Sequence, residues 1–81
     1  MTAPHDLIPL AFAPVGQTAR IAQVLGRPEE VHRLEELGLQ EGAAVEIVQS
    51  GAPCIIRLAG HKLCFRDGDA FRVLVHMREA R

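Results

Sequence analysis

The chain has no tryptophan, no tyrosine and only three phenylalanines, Phe12, Phe65 and Phe71. Sequence-tolerant binding of single-stranded nucleic acid relies on exposed rings as stacking platforms. Grooves that grip proline-rich peptides are lined with aromatics. Both modes are disfavoured here, and the core must be built from Val, Ile, Leu and Ala. No apolar run approaches the roughly 20 residues of a membrane-spanning helix. The start carries Asp6 and no basic segment ahead of the apolar run, so no secretory leader is expected. Serine is scarce as well: Ser50 is the only one, beside Gly51 in an expected turn. Nothing resembles G-x-S-x-G, a phosphate-binding loop or a dinucleotide fingerprint. A domain this small has little room for a substrate cleft, and catalysis is not expected. Two cysteines, Cys54 and Cys64, are expected to stay reduced in a cytosolic protein and to serve packing.

What is present is a single domain of 81 residues, 48% of them hydrophobic. Residues 1–6 read as a flexible tail, 7–77 as the folded domain and 78–81 as a short C-terminal tail. The formal net charge is −1, which argues against a general nucleic-acid binder. The charge is unevenly placed. Residues 1–50 carry three Arg against seven acids, whereas 51–81 carry six basic groups against three acids. Such asymmetry can orient a domain on a charged partner.

Along the chain, Leu7 to Pro14 is an apolar stretch bracketed by prolines, too short for an independent helix. It reads as an extended piece or one helical turn. Thr18 to Leu25 reads as the first strand, ended by Gly26. A helix follows. Pro28 suits its first position, and Glu29 and Glu30 suit the positive end of its dipole. Val31, Leu34 and Leu37 supply an apolar stripe, and Glu29 and Arg33 an i,i+4 ion pair. Gly38 stops the helix in the left-handed conformation, with Leu39 placed to touch Leu34. From Val45 the pattern has period two, interrupted at Val48. Ile56 and Leu58, then Leu63 and Phe65, then Phe71, Val73 and Val75 face inward in turn, and Gly60 sits at a tight hairpin. The total is about five short strands at intervals of roughly 8–12 residues, with one helix after the first, which predicts a small barrel or sandwich.

The run Arg33-Leu34-Glu35-Glu36-Leu37-Gly38-Leu39-Gln40-Glu41-Gly42 resembles the RL-x-x-LGL-x-x-G pattern of the FeoA family, ferrous iron transport protein A. Val45-Glu46-Ile47-Val48 resembles the strand after that pattern. Leu10, Val15-Gly16 and Arg20-Ile21 match the family's opening, and Gly60 with Phe71 to Val75 its last hairpin. The resemblance spans about residues 8–76. It implies a mainly β, SH3-like barrel of about five antiparallel strands. It implies a cytoplasmic accessory to FeoB, the membrane permease for Fe(II), acting without catalysis and recruited to the inner face of the membrane. The same module ends iron-dependent repressors of the DtxR type, and the lack of a preceding DNA-binding segment here favours the standalone form. Leu34, Leu37, Gly38, Leu39 and Gly42 have folding roles in this reading.

For partner binding, the outward basic residues Arg57, Lys62, Arg66 and Arg72 are candidates for a stripe that meets acidic groups or an anionic leaflet. For metal, His32 and Glu36 lie i,i+4 on one helix face and offer two ligands. Two ligands make no closed site, so no intrinsic cofactor is expected, only weak surface binding of Fe2+ or Zn2+. A metal-responsive regulatory module is the alternative function. Edge strands of an open barrel would permit self-association.

Overall fold

The structure, a computed structural model, describes residues 7–66 and 68–77. The two expected tails therefore lie outside the described residues. Strand β1 is Leu7–Pro9 and runs straight into a 3-10 turn, Leu10–Phe12. Then come β2 (Thr18–Val24), α1 (Pro28–Glu36), β3 (Ala44–Gln49), β4 (Cys54–Leu58) and β5 (His61–Phe65). A second 3-10 turn, Gly68–Phe71, leads into β6 (Val73–Met77). The six strands form one antiparallel sheet in the order β1-β6-β2-β3-β4-β5.

The proline-bracketed segment thus provides both conformations expected of it, extended through Pro9 and helical after it. Because its extended part pairs with β6, α1 follows the second strand and not the first. Phe71 does not belong to the last strand. It sits in the second 3-10 turn, 45% exposed, and meets the more exposed Phe12 edge-on with ring centroids 5.5 Å apart.

Alternation explains the core. Ala19 and Ile21, Val45 and Ile47, Cys54, Ile56 and Leu58, and Val73 and Val75 are the buried residues of β2, β3, β4 and β6. With Phe65 of β5 they belong to one cluster, joined by Leu10 and Ala11 from the first 3-10 turn and by Leu34 and Leu39 at the end of α1. A single sheet whose strands all face one cluster has to curl around it. Two bulges supply the bend. One lies between Ile21 and Gln23 against β6, the other between Ile47 and Gln49 against β4. An extra residue unpaired in one strand bends it and raises its twist. Val48, which breaks the period-two pattern, is the extra residue of the second bulge.

No polar or charged residue is buried among those described. The helix joins the sheet through its stop. With Leu37 at the C-cap, the Gly38 N–H donates to the Glu35 carbonyl (2.9 Å) and the Leu39 N–H to the Leu34 carbonyl (3.1 Å), the paired bonds of a Schellman ending. Gly38 has φ +106°, and a Cβ there would stand 2.7 Å from Leu58 Cδ2. A side chain at this position is strained by the backbone conformation and obliges Leu58 to shift.

A basic edge and an adjoining groove as the candidate functional site

The β4–β5 hairpin is closed by two residues, Ala59 and Gly60, at φ 52° and 84°. Positive φ at both central positions is the type I′ arrangement that matches strand twist. Leu58 and His61, which flank this turn, form a hydrogen-bonded pair. By alternation Ile56 with Leu63 and Cys54 with Phe65 do so too, while Arg57 with Lys62 and Ile55 with Cys64 do not. The turn therefore places Arg57 and Lys62 side by side on the outer face, with exposed Arg66 just past the end of β5.

The four basic candidates are not equivalent. Arg57 spans to β3 and pairs with Glu46, Nη1 to Oε1 3.1 Å. Lys62 and Arg66 enter no ion pair among the described residues. Arg72 does not join them. It precedes β6, separated from β5 by three strands in the sheet, and its guanidinium meets the Glu30 carboxylate of α1. Glu30 also accepts the N–H of Arg27, the residue before the helix, at 3.0 Å. That backbone bond first, and then the Arg72 charge, hold the Glu30 carboxyl below its ordinary value against the opposing pull of burial.

Beside β5 lies a groove of about 390 Å³. Leu34 and Leu37 form its helix wall, and Leu63, Cys64 and Phe65 its strand wall. Arg33 and Asp69 enclose one side, paired with each other at 3.0 Å, and Arg66 borders it as well. Arg33 thus reaches Asp69, 36 residues away, and not the expected helical neighbour Glu29. Leu37, expected on the core stripe, is 48% exposed and lines this groove. The helical angle carries that signal. At about 100° per residue, position i+6 has turned some 120° from position i, off the face shared by Val31 and Leu34. Leu34 and Leu39 are buried, as expected of folding residues, and Gly42 has φ +91° where the chain turns towards β3.

The candidate metal ligands His32 and Glu36 do face each other, Nδ1 to Oε2 3.5 Å, with both side chains well exposed. No group of three His, Cys, Asp or Glu side chains converges among the described residues. The two cysteines sit on opposite faces. Cys64 is exposed, whereas Cys54 is buried with its thiol aimed at the Leu10 carbonyl, 3.9 Å away. Burial pushes the Cys54 thiol up, and the neighbouring Cys64 adds to this. No helix among the described residues is long and apolar enough to cross a membrane.

Comparison with known proteins fits this architecture. The FeoA domain family matches residues 8–77. No curated protein sequence matches the chain. Among solved structures, the iron uptake regulatory protein FeoA is 27% identical with a TM-score of 0.82, the match covering 90% of this chain and all of that one. FeoA of Stenotrophomonas maltophilia, an SH3-domain protein solved in complex with zinc, is 26% identical with a TM-score of 0.70, over 82% of this chain and 86% of that one. IdeR of T. acidophilum is 18% identical with a TM-score of 0.80; the match covers 96% of this chain but 37% of the regulator, and that likeness is one of fold. With the family matching nearly every described residue on an SH3-like fold, the chain belongs to the FeoA family.

Proposed function

We propose that this chain is an accessory protein of bacterial ferrous iron uptake that docks on the cytoplasmic side of the FeoB permease and supports or regulates Fe(II) transport by binding, without catalysis. The observation that carries this reading is the family match across residues 8–77. It is supported by the S. maltophilia relative, discussed as a candidate ferrous iron transport activating factor. The surface chemistry is compatible with it. Lys62 and Arg66 offer positive charge with no ionic partner among the described residues. Charge of this kind speeds encounter with an acidic protein surface and favours the anionic inner leaflet that surrounds a permease.

The test is capture of full-length FeoB and of its cytosolic domain by the purified chain, with and without Fe(II), at low and moderate salt. Saturable, metal-independent binding that weakens when Lys62 and Arg66 are both reversed to Glu is the expected result. Absence of binding to either form of FeoB removes the proposal.

A second reading, a metal-responsive module, is favoured by the zinc in the S. maltophilia structure. Here the residues for it are His32 and Glu36. They supply two donors of the four a closed zinc site needs, so the site would be completed by a neighbour or by water. Calorimetric titration with Zn2+ and Fe2+ decides it. Tight stoichiometric binding lost in His32→Ala would establish this reading over the first.

A further inference from the structure

β5 is an end strand of the sheet, and among the described residues the backbone of 61–66 bonds to nothing but β4. The hairpin register fixes which groups are left over. His61, Leu63 and Phe65 use their N–H and C=O towards β4, so those of Lys62 and Cys64 point away from the sheet. An unpaired edge of this kind is a template for another strand. Directly beside it lies the groove walled by Leu34, Leu37 and Leu63. On the opposite, outer face stands the unpaired charge of Lys62, and past the end of β5 the unpaired charge of Arg66 stands at the groove's border.

We infer that β5 takes up an extended, alternating acidic and apolar segment of a protein partner as a seventh strand. This rests on the docking reading above and names its mode and its surface. The side chains of an added strand alternate between faces. One set enters the groove against Leu37 and Leu63, and the other meets Lys62, with Arg66 at the border between the two where β5 ends. The first set must be apolar and the second acidic. A second copy of this chain does not meet the requirement. Antiparallel pairing of two β5 strands about Cys64 sets Lys62 of each against Arg66 of the other, and like charges directly opposite are destabilising. A polyphosphate or lipid surface could satisfy the charges but offers no donors to the outward carbonyls and no apolar side chains to the groove.

The probe is a capped Glu-Val-Glu-Val-Asp-Val peptide titrated into the 15N-labelled chain and followed by NMR. The expected result is saturable shifts confined to 61–66 and Leu37, with slowed amide exchange at Lys62 and Cys64. The same peptide N-methylated at alternate residues should not bind. Cys64→Pro removes one outward N–H without touching a bond to β4, a position where an edge strand accepts proline. It should weaken peptide binding about tenfold, as for loss of a net ~1.4 kcal/mol. Lys62→Glu with Arg66→Glu should do the same and serves as the second variant. Binding that responds to charge reversal but not to Cys64→Pro or N-methylation would be electrostatic only and would overturn the inference, as would shifts that lie away from 61–66 and Leu37. FeoB capture with Cys64→Pro separates the two levels. Undiminished capture refutes strand addition and leaves the docking role standing. Failure of the wild-type chain to capture FeoB, with the peptide still ordering β5, removes the named partner and keeps the edge.

Discussion

At the junction of α1 and β6, Arg72 gives its guanidinium to a Glu30 that already holds the N–H of Arg27. Along the free side of β5, Lys62 and Arg66 hold no carboxylate among the described residues, and the adjoining groove keeps Leu37 in solvent. The same residue types thus serve two ends. In the first corner, positive charge joins elements 42 residues apart. In the second, it is unspent beside apolar surface and open backbone. Charge that is already answered inside the molecule contributes to the fold, and only unanswered charge is available to a partner.

The sharpest way to break that contrast is to truncate the two leucines of the same helix end. Leu34→Ala empties a fully buried site and should cost about 2–5 kcal/mol in urea unfolding. Leu37→Ala should change stability by no more than about 0.5 kcal/mol. Comparable losses would mean that the groove is part of the core. Next in size is Gly38→Ala, which combines a left-handed backbone with contact against Leu58 and should cost about 1–3 kcal/mol. A neutral result would show that α1 can shift on the sheet, which would make the groove adjustable.

Glu30→Gln probes the closed corner through pH. The folded-state pKa of Glu30 lies below its unfolded value. Its stabilisation is therefore complete above the ordinary carboxylate range and is lost as pH falls through the folded value. The urea midpoint of the wild-type chain should exceed that of Glu30→Gln near neutrality, and the gap should close on acidification. A gap that widens towards acid would refute the assignment. Smallest of all, Lys62→Glu and Arg66→Glu should each move stability by less than about 0.5 kcal/mol. A larger loss would place them in the fold and not in reserve.

Features set by near neighbours along the chain are legible in the amino-acid order itself. The stop at Gly38, the proline at the helix start, the switch to period two at Val45 and the hairpin at Gly60 all act over a few residues. Even Val48 stands out as a flaw in the alternation, although only the pairing with β4 shows it to be a bulge. What sequence does not place depends on distant segments. Arg33 takes Asp69 over Glu29 because the second 3-10 turn brings that carboxylate to the helix. Arg72 fits one basic stripe by alternation, because alternation gives the face but not which strands are neighbours. Phe71 fits the pattern of the last strand, yet a 3-10 turn carries it out to Phe12. Leu7–Pro9 is too short for periodicity and becomes a strand because β6 is there to pair with it.

That pairing sets Leu7 opposite His76, so the described domain is entered and left at one point on its surface. A unit whose entrance and exit coincide can be joined to another polypeptide at either end, or set into a surface loop, with little disturbance of its host. Transplanting residues 7–77 into an exposed loop of an unrelated carrier should yield a folded module with its β5 side still open. The likeness to little more than a third of IdeR shows the same architecture carried within a longer chain. The geometry of one short ladder thus makes this domain portable.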